Sequence, residues 1–168
     1  MEELFAQHHA ALLRFFVRLC GCRATADDLL QSTFLKLWKY RRNYQGTGNG
    51  RTYVYQVALN QWREFGTRAG RARRLLERWL RVSSDHRCVT APEDAPAIDR
   101  AEDRQRVWRA IDKLPSAQRI VFVLHRIEEL SCREIADITT ESVKTVESRL
   151  RLALMKVTGD LRRPEGRS

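Results

Sequence analysis

"SCREIADITTESVKTVESRL", residues 131–150, sets two short helical patterns on either side of a three-residue turn. Ser131 and Glu134 have the S-x-x-E spacing of a capping box, in which the two side chains satisfy backbone N–H groups that a helix start leaves over. One helix is therefore expected to begin at Cys132 and to run through Ile135 and Ile138. Ser142 is expected to cap a second helix just after "TTE". Val146, Leu150, Ala153 and Val157 recur at spacings of four, three and four, which gives that helix one apolar face. Its other face carries Lys144, Thr145, Glu147, Ser148, Arg149 and Arg151, groups that can donate to phosphates and read base edges. An ordinary amphipathic hairpin with a solvated face would share this periodicity. Two capped starts within twenty residues favour a helix-turn-helix, whose second helix enters the major groove. The turn counts against it: Thr139-Thr140-Glu141 holds no Gly, and a β-branched residue at positive φ is costly.

The rest of the chain suits a partner that is a polyanion. In 168 residues, Lys and Arg number 31 against 21 Asp and Glu, a formal charge of +10, and most of the basic residues are Arg. Arg suits phosphates and base edges, whereas Lys would serve mere solubility as well. The 43% apolar share is ordinary for a globular chain. No stretch approaches the roughly 18 consecutive apolar residues of a membrane span. "MEELFAQHHA" opens acidic and lacks a signal-peptide pattern, so no membrane insertion and a cytoplasmic location are expected. Cys20, Cys22, Cys88 and Cys132 show no CxxC spacing. His9 would lie about 16 Å from Cys20 along a helix, too far to share an ion. Neither a metal site nor a cofactor is expected.

Helical periodicity dominates from end to end. Residues 4–19 align Phe5, Leu12, Phe15, Phe16 and Leu19, and Gly21 ends that run. Thr25 reads as the N-cap of a second helix, with Asp27 and Asp28 in its first turn, where the dipole favours acids. Leu30, Phe34, Leu37 and Trp38 form the buried stripe of that helix, leaving Leu29 and Leu35 outside it. After the Gly-rich "YQGTGNGR" a third helix is expected near Thr52, with Val54, Val57, Ala58 and Phe65 inward. Residues 62–81 hold seven Arg against two acids, and residues 85–103 hold six acids against two Arg, with Pro92 and Pro96. The second stretch reads as a linker. Pro115 then opens a helix carrying the apolar run Ile120 to Leu124. The expected fold class is all-α: two small helical domains, residues 1–82 and 105–168, joined by a flexible linker over 83–104, the C-terminal one a helix-turn-helix.

The chemistry expected is recognition. No nucleophile, base and orienting group stand at a meaningful spacing, so no catalytic residue is assigned and the chain is not expected to be an enzyme. "GTGNG" neither follows a strand nor precedes a Lys-Ser/Thr pair, which excludes dinucleotide and P-loop readings. On the third helix Tyr55, Leu59 and Trp62 form a second stripe interleaved with Gln56, Asn60 and Arg63. Such a platform could stack separated bases and hold their phosphates. For Trp62, packing against the basic segment that follows is equally open.

Two longer stretches carry a family resemblance. "LPSAQRIVFVLHRIEELSCREIADITTESVKTVESRLRLAL" resembles the upstream-promoter-reading domain of extracytoplasmic-function sigma factors of RNA polymerase, whose pattern runs L-P-x-x-x-R, E-x-L-S, E-I-A, then S-V-x-T-V-x-S-R-L. "ATADDLLQSTFLKLWKYR" resembles the polymerase-binding helix of that family, with Asp27, Asp28, Leu29, Gln31, Thr33 and Phe34 in place. "TYVYQVALNQWREFGTR" is similar to its promoter-melting helix. The likeness spans residues 4–68 and 107–161 in the family's order. Departures are Tyr53 for a usual Trp, Leu59 for an Arg, Glu64 for an Asp, and Thr140 and Glu141 for a Gly and an apolar residue.

The resemblance implies a sigma factor that binds core RNA polymerase and directs promoter recognition, strand opening and initiation. It implies a polymerase contact through Asp27, Asp28, Leu29, Gln31 and Phe34. It places the minus-ten element against Gly48, Asn49, Arg51, Tyr53, Gln56, Asn60, Trp62 and Arg63, where the glycine loop would wrap an extruded base. The minus-thirty-five element falls to Lys144, Thr145, Glu147, Ser148, Arg149 and Arg151. Core polymerase, promoter DNA and an anti-sigma factor are the candidate partners. The alternative is a helix-turn-helix regulator that acts without polymerase.

Overall fold

The structure is a computed structural model that describes residues 2–41, 49–80 and 101–162, with side chains described over 6–41, 49–67 and 105–162. Among the described residues there are seven helices and no strand. The chain divides into two compact units, Met1–Thr90 and Ala91–Ser168.

In the first unit α1 (Glu2–Cys20) packs against α2 (Arg23–Lys39) and α3 (Gly50–Leu80). Leu12, Phe15, Phe16 and Leu19 of α1 are buried as their periodicity requires. Gly21 ends the helix at φ 67, and its N–H donates to the Val17 carbonyl at 2.8 Å. A glycine takes this left-handed cap without penalty.

That turn corrects the expected start of α2. The backbone of Cys22 is extended and acts as the N-cap without a side-chain bond, so the helix begins at Arg23 and Thr25 lies inside it. Asp27 and Asp28 consequently fall beyond the first turn, and Asp27 pairs with Arg23 at 3.3 Å. The buried set on α2 is Ala26, Leu29, Leu30, Thr33 and Leu37. Leu29, expected outside the stripe, is thus inside it. Trp38, expected inside, is 53% exposed. Thr33 explains the rotation: its hydroxyl donates to the Leu29 carbonyl at 2.7 Å, so it is buried without an unsatisfied group.

Asn49 starts α3, its side-chain oxygen accepting the Arg51 N–H at 3.0 Å. Val54, Tyr55, Ala58 and Leu59 are fully buried, and Tyr55 meets Phe15 edge-on at 5.4 Å. The stripe assigned to base stacking is therefore largely core. Packing between two helices requires a broader apolar arc than one neighbour would. Val57 is half-buried and Phe65 39% exposed, so the expected inner face is shifted as well. Lys36 of α2 and Glu64 of α3 form an ion pair at 2.8 Å.

The second unit comprises α4 (Ala101–Asp112), α5 (Ser116–Arg126), α6 (Cys132–Thr139) and α7 (Val143–Arg162). α4 begins at Ala101, so the last residues of the expected linker are helical; residues 83–100, with Cys88, Pro92 and Pro96, lie outside the described residues. Pro115 stands at the N-cap of α5, and all of Ile120 to Leu124 are buried. Five consecutive buried positions cover more than one turn, so this stretch of α5 is enclosed on every side. Ala110, Ile111, Leu114, Phe122, Ala153 and Val157 form a core that ties α4 and α5 to α7. Arg119 fastens the α4–α5 turn by donating to the backbone carbonyl of Asp112.

Candidate functional site

The helix-turn-helix is built by the caps that its sequence announces. Glu134 N–H donates to Ser131 Oγ at 3.2 Å, while Ser131 N–H donates to Glu134 Oε2 at 2.9 Å. At the second start, Thr145 N–H donates to Ser142 Oγ at 3.1 Å. Between them Thr140 adopts φ 59 and ψ 42, the left-handed conformation that counted against the motif. Ile135, Ile138 and Val146 close the angle between α6 and α7 at 0% exposure.

On α7, Val146, Ala153 and Val157 face inward and Leu150 is half-buried. Lys144, Glu147, Ser148 and Arg151 are exposed. Their spacing puts Lys144, Ser148 and Arg151 on one outer stripe. Thr145 is half-buried, its hydroxyl 2.8 Å from that of Ser142. Arg149 stands at the edge of the outer face, half-buried and paired with Glu141 of the turn.

On α3, Tyr53, Gln56, Asn60 and Arg63 recur at spacings of three and four and share the side opposite the core. Asn60 and Arg63 are exposed, and Tyr53 and Gln56 half-exposed. Trp62 lies apart from them, half-buried and stacked on Phe65 at 6.1 Å. Arg51 also points to the inner side, with its guanidinium 5.9 Å from the Tyr55 ring. Burial, and then the nearby Arg51 charge, lowers the pKa of His8. Gly48 lies outside the described residues, as do the side chains of the basic run past Thr67.

On α2 the expected contact residues separate. Asp28 and Gln31 are exposed, Leu29 is buried, and Phe34 stacks on His9 of α1 at 6.3 Å. Two residues join the exposed pair: Leu35, 70% exposed, and Trp38, whose ring lies under the Arg41 guanidinium at 4.5 Å. Asp28, Gln31, Leu35 and Trp38 follow one another at spacings of three and four, so they form one outer stripe. Leu35 was detectable in the sequence as an apolar residue off the buried face; Trp38 was not, because its composition alone argues for burial.

Among the described residues no group of three or more His, Cys, Asp and Glu is placed to hold a metal ion. Cys20, Cys22 and Cys132 are half-buried and joined in no disulfide; burial raises the Cys20 pKa, and its thiol donates to the Phe16 carbonyl at 3.0 Å. No helix among the described residues is long and apolar enough to cross a membrane.

Comparison with known proteins gives these faces a family. Residues 4–81 match the family model for sigma-70 region 2, and residues 104–157 match that for sigma-70 region 4. The chain is 32% identical over 152 residues to the ECF RNA polymerase sigma factor SigE of Mycolicibacterium smegmatis, a match covering 89% of this chain and 56% of SigE. It is 26% identical over 165 residues to the RNA polymerase sigma factor YlaC of Bacillus subtilis, covering 93% and 90% of the two chains. In fold it is similar to the sigma factor RpoE of Bartonella quintana, solved in complex with the anti-sigma factor NepR, with a TM-score of 0.78, 20% identity and 96% of each chain covered. It is also similar to CnrH in complex with the cytosolic domain of CnrY, with a TM-score of 0.67, 24% identity and coverage of 94% and 84%. The chain belongs to the extracytoplasmic-function sigma factors of the sigma-70 family, the proteins through which RNA polymerase recognises promoters and initiates transcription.

Proposed function

We propose that this sigma factor docks on core RNA polymerase through the outer stripe of α2 and reads promoter DNA with α3 and α7. Residues 1–82 serve polymerase binding and the minus-ten element, and residues 105–168 serve the minus-thirty-five element. The observation that carries this reading is the contrast of two exposed helix faces. That of α2 mixes Asp28 and Gln31 with the exposed apolar Leu35 and Trp38, and that of α7 presents Lys144, Ser148 and Arg151. Exposed Trp and Leu aligned with polar groups suit a protein partner, where an aromatic anchor can carry much of the affinity. A basic, hydroxyl-bearing face at the start of a capped second helix suits a major groove.

Asn60, Gln56, Tyr53 and Arg63 would then meet an opened strand, the amides pairing with base edges and Arg63 holding phosphate. Asn49 leads into this face and caps α3. An anti-sigma factor is a further proposed partner, since the fold is similar to sigma factors solved with one bound. A cytoplasmic location follows from work on DNA and polymerase.

The test is reconstitution with core polymerase on a genomic template, reading the transcripts that begin. Asp28→Lys should lower recovery of the sigma–core complex and abolish promoter-specific starts while the helical content is kept, because Asp28 is exposed. Co-purification at wild-type yield, or tight sequence-specific DNA binding that needs no polymerase, would overturn the proposal in favour of a free-standing regulator.

A further inference from the structure

The turn between α6 and α7 departs from its family's pattern at two adjacent positions, and the structure connects them. Thr140 occupies the left-handed region that a glycine would take freely, and a β-branched side chain there is disfavoured. Local bonds hold it: its hydroxyl donates to the Thr139 carbonyl at 2.6 Å, and the N–H groups of Thr140 and Glu141 both reach the Ala136 carbonyl. Glu141 then extends to Arg149, eight residues along the chain, and their side chains pair at 2.5 Å with 23% and 30% exposure. A charge-assisted bond between partly buried groups is less eroded by water and salt than one on an open surface. It joins the turn to the second turn of α7 and occupies a cation that would otherwise be available to phosphate.

We propose that Glu141 is a positioning residue for promoter reading. Its carboxylate holds Arg149 as a brace between turn and recognition helix, fixing the pitch of α7 in a turn that has no glycine. Lys144, Ser148 and Arg151 are then left to touch DNA, and Arg149 acts through the turn. The inference rests on the reading of α7 as the DNA-reading helix.

The experiment uses full-length protein assembled with core polymerase, and as probe a duplex enriched from a randomised pool by the wild-type holoenzyme. Affinity is measured across a series of KCl concentrations, at a temperature where circular dichroism shows each variant folded. Under those conditions a brace that served stability alone would leave affinity at the wild-type level, and that outcome overturns the proposal. Glu141→Gln and Arg149→Gln should each weaken binding by about three- to thirtyfold, and the double variant should be no weaker than either single one. The salt slope should stay at the wild-type value, because no phosphate contact is lost. Adding Thr140→Gly to Glu141→Gln should recover most of the loss, since glycine takes the turn without a brace. The exchanged pair Glu141→Arg with Arg149→Glu should recover it too, which covers the case of a single variant that fails to fold.

Additive losses would overturn the proposal. So would tighter binding by Glu141→Gln with a salt slope steeper by about 0.9, the mark of an Arg149 released onto a phosphate. Lys144→Ala and Arg151→Ala separate the two levels of the argument. If both leave affinity unchanged, the reading of α7 falls and the role of Glu141 falls with it. If they weaken binding while Glu141→Gln does not, only the role of Glu141 falls.

Discussion

The outer faces of α2 and α7 are opposite in construction. On α7 two polar groups at the start of the helix are held by neighbours, Thr145 by Ser142 and Arg149 by Glu141, which fixes the backbone that carries Lys144, Ser148 and Arg151. On α2 Leu35 stands in solvent at 70% exposure, and Trp38 is shielded on one side by Arg41. A duplex presents rigid rows of phosphates and base edges, so a reader gains from a helix whose pitch is fixed in advance. A protein partner can supply a pocket that closes on an apolar side chain, and the free chain leaves that side chain exposed. Salt should discriminate between the two faces, since counterion release acts on the first and desolvation on the second.

The largest effect is expected at Leu35 and Trp38. Leu35→Asp or Trp38→Ala should weaken core polymerase binding by about tenfold or more, read by fluorescence titration, with little change between low and high salt. A loss of affinity that vanished at high salt would break the contrast, because α2 would then be acting as a charged face. An intermediate effect is expected at Asn60. Asn60→Ala should lower strand opening by an amount equivalent to about 1 kcal/mol, seen as weaker permanganate reactivity of unpaired thymines. A pre-melted template should restore much of it. If the variant fails equally on duplex and pre-melted DNA, α3 belongs with α7 among the duplex readers.

The smallest effect concerns pH. Burial holds the His8 pKa below its ordinary 6.5. Below pH 6.5 the unfolded chain takes up a proton that the folded one resists, so stability falls as pH drops from 6.5 toward the folded-state pKa. His8→Asn should flatten that dependence in thermal melts followed between pH 7 and 5. An unchanged slope would assign the acid sensitivity to other groups.

Legibility in the sequence followed the kind of signal that starts each helix. α6 and α7 begin with side-chain caps, and Ser131, Glu134 and Ser142 are visible as letters with a spacing. α2 begins on the extended backbone of Cys22 after a left-handed Gly21, and only Gly21 leaves a mark in the sequence. The misplaced start and the misassigned stripe of α2 are separate errors. Trp38 was placed inside because large aromatic residues usually are, while a threonine that bonds its own helix, Thr33, took an interior position. Tyr55 and Leu59 were misread for a related reason: a helix lying against two others buries a wider arc than a single stripe suggests. The outward placement of Asn60, Gln56 and Lys144 was legible because polarity and period agreed. The bond between Glu141 and Arg149 was not, since it crosses a turn whose shape had to be known first.

Helix α5 has a consequence for how such a protein can change over generations. Five successive residues, Ile120 to Leu124, are each at most 8% exposed. Wherever a mutation strikes that run, it meets packed neighbours, and truncating a large apolar residue there costs about 2–5 kcal/mol. Variation in this segment is therefore filtered before promoter choice is ever tested. If α7 reads the minus-thirty-five element as proposed, new preferences for that element should arise on ground that tolerates change, the exposed side of α7. A library of random variants sorted for altered start sites should return substitutions at Lys144, Ser148 and Arg151 and a silent interval at α5, like a fixed axle beneath a wheel that can be recut.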